Sequence, residues 1–127
     1  MTGDGIDFGE DLPEQCPPTE AVDDVLQQVF RLVEHNPPTE DCFKSHAAKG
    51  RPLPSTGVSP CAWASCSLFK ESGALTRLSR LKKKFPYLAS LTIPAESGRH
   101  TSNGVHVDFW RYATFNISSA VTSVTEV

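Results

Sequence analysis

The stretch from residue 105 to residue 112 carries, at alternate positions, four side chains that could take part in catalysis or ligand binding. They are His106, Asp108, Trp110 and Tyr112. Because successive side chains of a strand point to opposite faces, the alternation predicts a strand with one apolar face and one polar, aromatic face. The imidazole and the carboxylate would stand about 7 Å apart between Cβ atoms, given a rise of about 3.4 Å per residue. At that spacing Asp108 can raise the basicity of His106, or both groups can bind one ligand.

Two classes of function use such a face. A small binding or adaptor domain would present Trp110 and Tyr112, flanked by Arg99 and His100, because aromatic and arginine side chains dominate binding hot spots. A small transferase or hydrolase would instead use His106 as general base, with the long loop 51–60 closing over the strand. Since no complete catalytic constellation is visible in the sequence, we favour the binding domain, with a protein or a small molecule as partner.

The four cysteines are Cys16, Cys42, Cys61 and Cys66. The acidic N-terminus does not resemble a signal peptide, which predicts a cytoplasmic protein with free thiols. Cys61 and Cys66 are spaced more widely than the C-x2-C pairs of zinc sites, so we predict buried cysteines that act as small hydrophobes, with no metal and no cofactor. A cysteine nucleophile paired with His100 or His106 stays open, because only proximity in the fold could establish it.

Charge is distributed unevenly along the chain. Residues 1–24 hold eight acidic side chains and no basic one. Residues 1–18 are also poor in apolar residues, which predicts an acidic, poorly ordered arm before a single domain over 19–127. The densest basic cluster is Arg77, Arg80, Lys82, Lys83 and Lys84. We interpret it as a solvated helix surface, and nucleic acid is an unlikely partner because no nucleic-acid-binding module is recognisable. No apolar run reaches the roughly 18 residues that cross a bilayer, so no membrane association is predicted.

Helical spacing of apolar residues is clearest near the start of the chain. Thr19 is suited to an N-cap, and an apolar stripe continues until Asn36-Pro37, which predicts a helix over about 19–35. Further helices are predicted over 61–69, after Ser59-Pro60, and over 73–84. Residues 42–46 and 61–69 could alternatively be strands.

Alternating residues predict strands over 87–93, 105–112 and 120–127. Asn103-Gly104 is a strong turn signal at the end of a predicted loop, 95–104. The fold class predicted from these elements is α+β, with two or three helices packed on a small, largely antiparallel sheet.

The order of three residue types resembles a known enzyme family. A basic residue near a first strand (Lys44), a serine-bearing segment (Ser65, Ser67) and a glutamate on a last strand (Glu126) are similar to the Arg–Ser–Glu order of mono-ADP-ribosyltransferases. The resemblance covers residues 42–127, with lysine in place of the arginine. It implies a transferase that acts through these three positions.

Overall fold

The computed structural model describes residues 7–76 and 83–127, and over these residues the fold is built on one six-stranded antiparallel sheet. Its strands are β1 (Leu26–Val33), β2 (Cys66–Phe69), β3 (Tyr87–Ile93), β4 (Gly98–Asn103), β5 (His106–Arg111) and β6 (Val121–Glu126). They lie side by side in the order β4-β5-β2-β1-β3-β6. The described helical elements are short: α1 (Pro60–Trp63), α2 (Gly73–Thr76) and two 3-10 turns, Glu40–Phe43 and Ile117–Ala120. The predicted α+β class is therefore wrong, because no set of two or three helices covers the sheet in the described part of the chain.

The first predicted helix is wrong because a β-bulge imitates helical spacing. Residues 26–33 form β1, and the register of its pairing with β3 shifts between Leu26 and Val29. The extra residue puts Leu26 and Val29 on the same face although they are three residues apart, and both are buried in the core. Val22 and Val25, two apolar residues within the helix predicted over 19–35, are exposed.

The second predicted helix is right only at its start. Ser59 caps α1 by accepting a hydrogen bond from Ala62 N, with Pro60 at the first helical position. The helix ends at Trp63, and Cys66–Phe69 is strand β2, with Cys66 and Leu68 buried at alternate positions.

Of the helix predicted over 73–84, Gly73–Thr76 is helical. The basic positions Arg77, Arg80 and Lys82 lie outside the described residues.

The strands in the second half of the chain were predicted more accurately. β3, β5 and β6 confirm the strands predicted at 87–93, 105–112 and 120–127. The loop predicted over 95–104 is wrong, because residues 98–103 form the edge strand β4. The turn lies one residue later than predicted: Asn103 pairs with His106, and Gly104 has the positive φ of 62° that the two-residue hairpin requires.

The core occupies one face of the sheet, where Leu68, Leu91, Val107 and Phe109 are almost completely buried. The two 3-10 turns cover this face with buried residues, chiefly Cys42, Phe43 and Ile117. Glu40 joins the two turns, since its carboxylate accepts hydrogen bonds from Ile117 N (3.1 Å) and Ser118 N (2.6 Å). Of the apolar positions of the predicted strand 105–112, Val107 and Phe109 thus do face a core, whereas Val105 lies in the turn and is exposed.

The described part of the predicted acidic arm is attached to the sheet. Gly9 N donates to Arg111 O at 3.0 Å, and the Glu10 carboxylate accepts from Ser45 N (3.1 Å) and Ser45 Oγ (2.6 Å). The division into an arm over 1–18 and a domain over 19–127 stays a prediction.

A disulfide joins Cys16 to Cys61. The prediction of four free thiols is therefore wrong for this pair, whereas Cys42 and Cys66 are free and buried. Because disulfides persist mainly in oxidising compartments, the bond does not support the predicted cytoplasmic location. Within the described ranges, none of the helices combines the length and the apolar character needed to span a membrane.

Candidate functional site

A groove of about 210 Å³ lies at the junction of β1 and β2. One part of its wall is basic and consists of Arg31, His46, Lys49 and Arg51. Another part is apolar and consists of Leu32, Phe69, Leu75 and Phe85, and Ser67 adds a hydroxyl group. A concave site with an apolar wall and a few polar groups is the usual form of a small-molecule site.

The groove exists because β1 and β2 pair over only a short length. Their register is established at Phe30 and Phe69. Beside this pair the Arg31 side chain bonds to backbone carbonyls: Nη1 donates to Ser67 O at 2.8 Å, and Nε donates to Cys42 O at 2.8 Å. The guanidinium thus donates hydrogen bonds to carbonyl groups that would otherwise need water or a longer pairing of β1 with β2. Arg31 shapes the groove and adds positive charge to it.

The segment that carries the other basic groups is held by Trp63. The His46 ring stacks on the Trp63 ring with 4.3 Å between centroids, and Trp63 Nε1 donates to Arg51 O at 3.0 Å. Arg51 Nη1 lies 2.7 Å from His46 Nδ1. A guanidinium can only donate, so Nδ1 is the acceptor and the proton of neutral His46 is on Nε2. These contacts hold both side chains in place without a ligand.

The positive charges of the groove are poorly balanced. Burial and the neighbouring Arg51 lower the pKa of His46, with smaller contributions from Arg31 and Lys49. Burial and Arg31 also lower the pKa of Lys49, against the opposing effect of Glu34. In the described part of the chain, Glu34 is the one carboxylate within ion-pair distance of a groove cation, 4.0 Å from Lys49 Nζ. An anion bound there would relieve the repulsion between the cations.

The predicted catalytic pair lies beside this groove. β5 places Asp108 opposite Ser67 and His106 opposite Phe69, so His106, Asp108 and Ser67 share the sheet face opposite the core. Ser67 Oγ is hydrogen-bonded to His106 Nε2. His106 Nδ1 lies 3.7 Å from Asp108 Oδ1. The same carboxylate oxygen accepts a hydrogen bond from Ser65 Oγ at 2.9 Å. A serine, a histidine and an aspartate therefore lie in series, and the serine and the histidine are hydrogen-bonded to each other.

The other predicted site residues do not line the groove. Trp110 is only 3% exposed, and its Nε1 donates to Cys61 O at 3.0 Å, so its ring has no free face for a ligand. Tyr112 OH donates to Asp23 Oδ2 at 3.3 Å and accepts from Arg99 Nε at 3.3 Å. His100 Nε2 lies 3.1 Å from Asp24 O. His100 and Tyr112 thus contact the segment that runs along the edge of β4, and Arg99 contacts Tyr112.

The free cysteines lack the properties of a nucleophile. Cys66 is part of the core, and burial raises the pKa of its thiol, so the thiolate is disfavoured. The alternative of a cysteine paired with His100 or His106 gains no support from this arrangement.

Sequence reasoning missed the basic wall of the groove. The signals were Arg31, the one charged residue within 26–33, and the spacing His46-x2-Lys49-x-Arg51 in a segment of ambiguous secondary structure. Neither pattern shows that the two segments meet. Only the partial pairing of β1 with β2 brings Arg31 to the segment that contains Lys49.

No protein-family model, no curated protein and no solved structure matches the chain. The resemblance to mono-ADP-ribosyltransferases stays an untested prediction. In this fold Ser67 lies on β2 and Glu126 on β6, with β1 and β3 between them. Lys44 is exposed and pairs with Asp41 at 3.1 Å.

Proposed function

We propose that the protein is a small-molecule binding domain and that its ligand is an organic anion with an apolar part. The observation that carries the proposal is the composition of the groove: three cationic side chains face apolar ones, with Glu34 as the single described ion-pair partner. The anionic group would contact Lys49 and Arg51. The apolar part would lie against Phe69, Leu75 and Phe85.

A small molecule is a better candidate ligand for this groove than a partner protein is. The groove is concave, and the buried Trp110 leaves the strand face without its largest predicted anchor. Ligand sites of this kind are largely preformed, and the contacts of Trp63 with His46 and Arg51 supply that order. Preorganised cations bind an anion with a smaller entropic cost than flexible surface lysines do.

Replacing Arg51 by glutamine should weaken the binding of 2-naphthalenesulfonate by about tenfold or more, because one charge-assisted hydrogen bond contributes roughly 1.5–3 kcal/mol. The probe combines a permanent anion with an apolar ring, and titration calorimetry or ligand fluorescence would measure its Kd. Lys49→Gln should act in the same direction.

The matched control is Lys44→Gln, which removes the same charge from an exposed side chain outside the groove. It should leave the affinity within about twofold of the wild-type value, since surface charges act weakly at physiological salt. Neutral 2-naphthalenemethanol should bind more weakly than the sulfonate. Equal affinities of the two compounds, or equal effects of Lys44→Gln and Arg51→Gln, would contradict the proposal.

Anion binding should strengthen as the pH falls from 7.5 to 5.5, by at most about tenfold per pH unit for one coupled proton. Burial, and then its cationic neighbours, lower the pKa of His46, so free His46 is neutral at pH 7 and an adjacent anion raises that pKa. Binding is then linked to proton uptake. Without ligand the sign is opposite: a lowered pKa costs the folded protein stability as the pH falls below the ordinary value of about 6.5.

The naphthalenesulfonate probe stays ionised over this range, so the pH dependence reports the protein. His46→Asn should remove most of it. His106 is a second imidazole beside the groove, since its partner Ser67 is part of the groove wall. His106→Asn therefore serves as the comparison and should retain the dependence. The reverse pattern would assign the linked proton to His106 and count against His46.

A further inference from the structure

We propose that Ser67 is a nucleophile with His106 as its general base, and that the protein hydrolyses esters of the organic anions that its groove binds. The substrate class rests on the proposed function, whereas the chemistry rests on the separate contact between Ser67 and His106. The structure thus favours the hydrolase alternative for His106 in a specific form.

The first step of the argument is the hydrogen bond between Ser67 Oγ and His106 Nε2. For Nε2 to accept the hydroxyl proton, the proton of the neutral ring must be on Nδ1. Nδ1 faces Asp108 Oδ1 at 3.7 Å, and a carboxylate on that side favours the Nδ1–H form and the imidazolium that follows proton transfer. The separation is longer than a hydrogen bond, as is common before substrate binding brings catalytic groups together.

The second step is that the strands hold this series in place. Ser67 and Asp108 are directly opposite each other on β2 and β5, and His106 follows two residues away on the same face. The edge of the Phe69 ring packs against His106 with 5.1 Å between centroids. Ser65 Oγ holds the carboxylate of Asp108 at 2.9 Å. Asp108 and Ser65 are therefore positioning residues, and Ser67 and His106 are the catalytic residues.

The third step is access. Ser67 is partly exposed and lines the groove, so its hydroxyl group adjoins the place where the anion would bind. Ser65 is 3% exposed, and its Oγ also lies 2.7 Å from Ala62 O, which leaves it unsuited to attack a substrate. Lys49 and Arg51 line the same groove and provide positive potential for the negative charge that develops during acyl transfer.

The reaction balances with water as the second reactant. Ser67 Oγ forms a bond to the acyl carbon while its proton passes to His106 Nε2. The tetrahedral intermediate collapses, the bond from the acyl carbon to the leaving oxygen breaks, and His106 returns the proton to that oxygen. Water then attacks the acyl carbon, one of its protons passes to Nε2, and the acid is released as Ser67 Oγ recovers that proton. The sum is ester plus water giving acid plus alcohol.

The test uses the acetyl ester of 1-naphthol-4-sulfonate, whose hydrolysis releases a fluorescent naphtholsulfonate. Ser67→Ala and His106→Asn should each lower kcat by about 100-fold or more, the contribution of a nucleophile or a general base. Ser102→Ala is the matched control, since Ser102 is an exposed serine on β4 outside the series and the groove. It should retain wild-type activity. Asp108→Asn should lower kcat less and shift the acidic limb of the pH–rate profile, which reports protonation of the general base, an effect that a purely structural role would not produce.

A second measurement does not depend on whether the variants fold. A fluorophosphonate should phosphonylate wild-type Ser67, with fluoride as leaving group, and peptide mass spectrometry would locate the adduct. No adduct at Ser67, or equal turnover by wild type and Ser67→Ala, would overturn the inference while leaving naphthalenesulfonate binding intact. If the neutral 1-naphthyl acetate is hydrolysed with the same KM, and Arg51→Gln does not change KM, the basic groove fails as the binding site. Catalysis by Ser67 would still stand.

Discussion

Replacing Trp110 by alanine should lower the free energy of unfolding by about 3–5 kcal/mol, the usual cost of deleting a large buried ring. The indole is 3% exposed, and removing it also leaves Cys61 O without the hydrogen bond that Trp110 Nε1 donates at 3.0 Å. A loss of this size is a large part of the stability of a domain of this length. Urea denaturation monitored by circular dichroism would measure it.

Trp110→Phe separates the two contributions. It keeps most of the ring volume and removes the donor. It should cost about 0.5–1.5 kcal/mol, the net contribution of one hydrogen bond, because Cys61 O still accepts from Ala64 N at 3.2 Å. If Trp110→Ala instead removes ligand binding and leaves the unfolding midpoint unchanged, the ring is a binding residue, as the sequence predicted. That result would contradict a role of Trp110 in the core.

Removing the disulfide should be comparably destabilising. The bond between Cys16 and Cys61 spans a sequence separation of 45 residues. Closing a loop of that length in the unfolded chain corresponds to about 4 kcal/mol in the chain-entropy description. The Cys16→Ser/Cys61→Ser double variant should therefore unfold at a clearly lower urea concentration, and dithiothreitol should have the same effect on the wild type.

Thiol titration provides the control. The denatured, unreduced wild type should contain two reactive thiols, those of Cys42 and Cys66. Dithiothreitol should not change the stability of the double variant, because its remaining cysteines are unpaired. Four titratable thiols in the purified protein, or an unchanged midpoint on reduction, would contradict the disulfide. Such a result would favour the cytoplasmic location that the sequence suggested.

The Trp110 variants and the disulfide variant both affect contacts of Cys61 in α1. Trp110 binds the carbonyl of Cys61, and Cys61 carries the disulfide to the N-terminal segment. Groups that share a partner are coupled, so the losses from Trp110→Ala and from the double variant should not add. An interaction free energy of zero in the double-mutant cycle would contradict this expectation and indicate that the two sites are independent.

Local patterns of the sequence determined several elements without help from the rest of the chain. Tyr87–Ile93 alternates and ends at Pro94, and Ser59-Pro60 starts a helix by a contact within four residues. The pairing of His106 with Asp108 on one strand face also followed from spacing alone, because a strand repeats every two residues. These predictions could be made because each depends only on residues a few positions apart in the sequence.

The tertiary structure decided the features that depend on distant residues. A bulge in β1 made a strand look helical, and pairing with β5 turned the polar residues 98–103 into an edge strand. The partner of His106 is Ser67, 39 residues away, and the partner of Cys16 is Cys61. The basic groove joins Arg31 of β1 to the segment around Lys49. The partner of the Trp110 indole is likewise distant in sequence, since Nε1 donates to Cys61 O, 49 residues away. Sequence spacing contains no information on which strands become neighbours, since that choice depends on the free energy of the whole packed sheet.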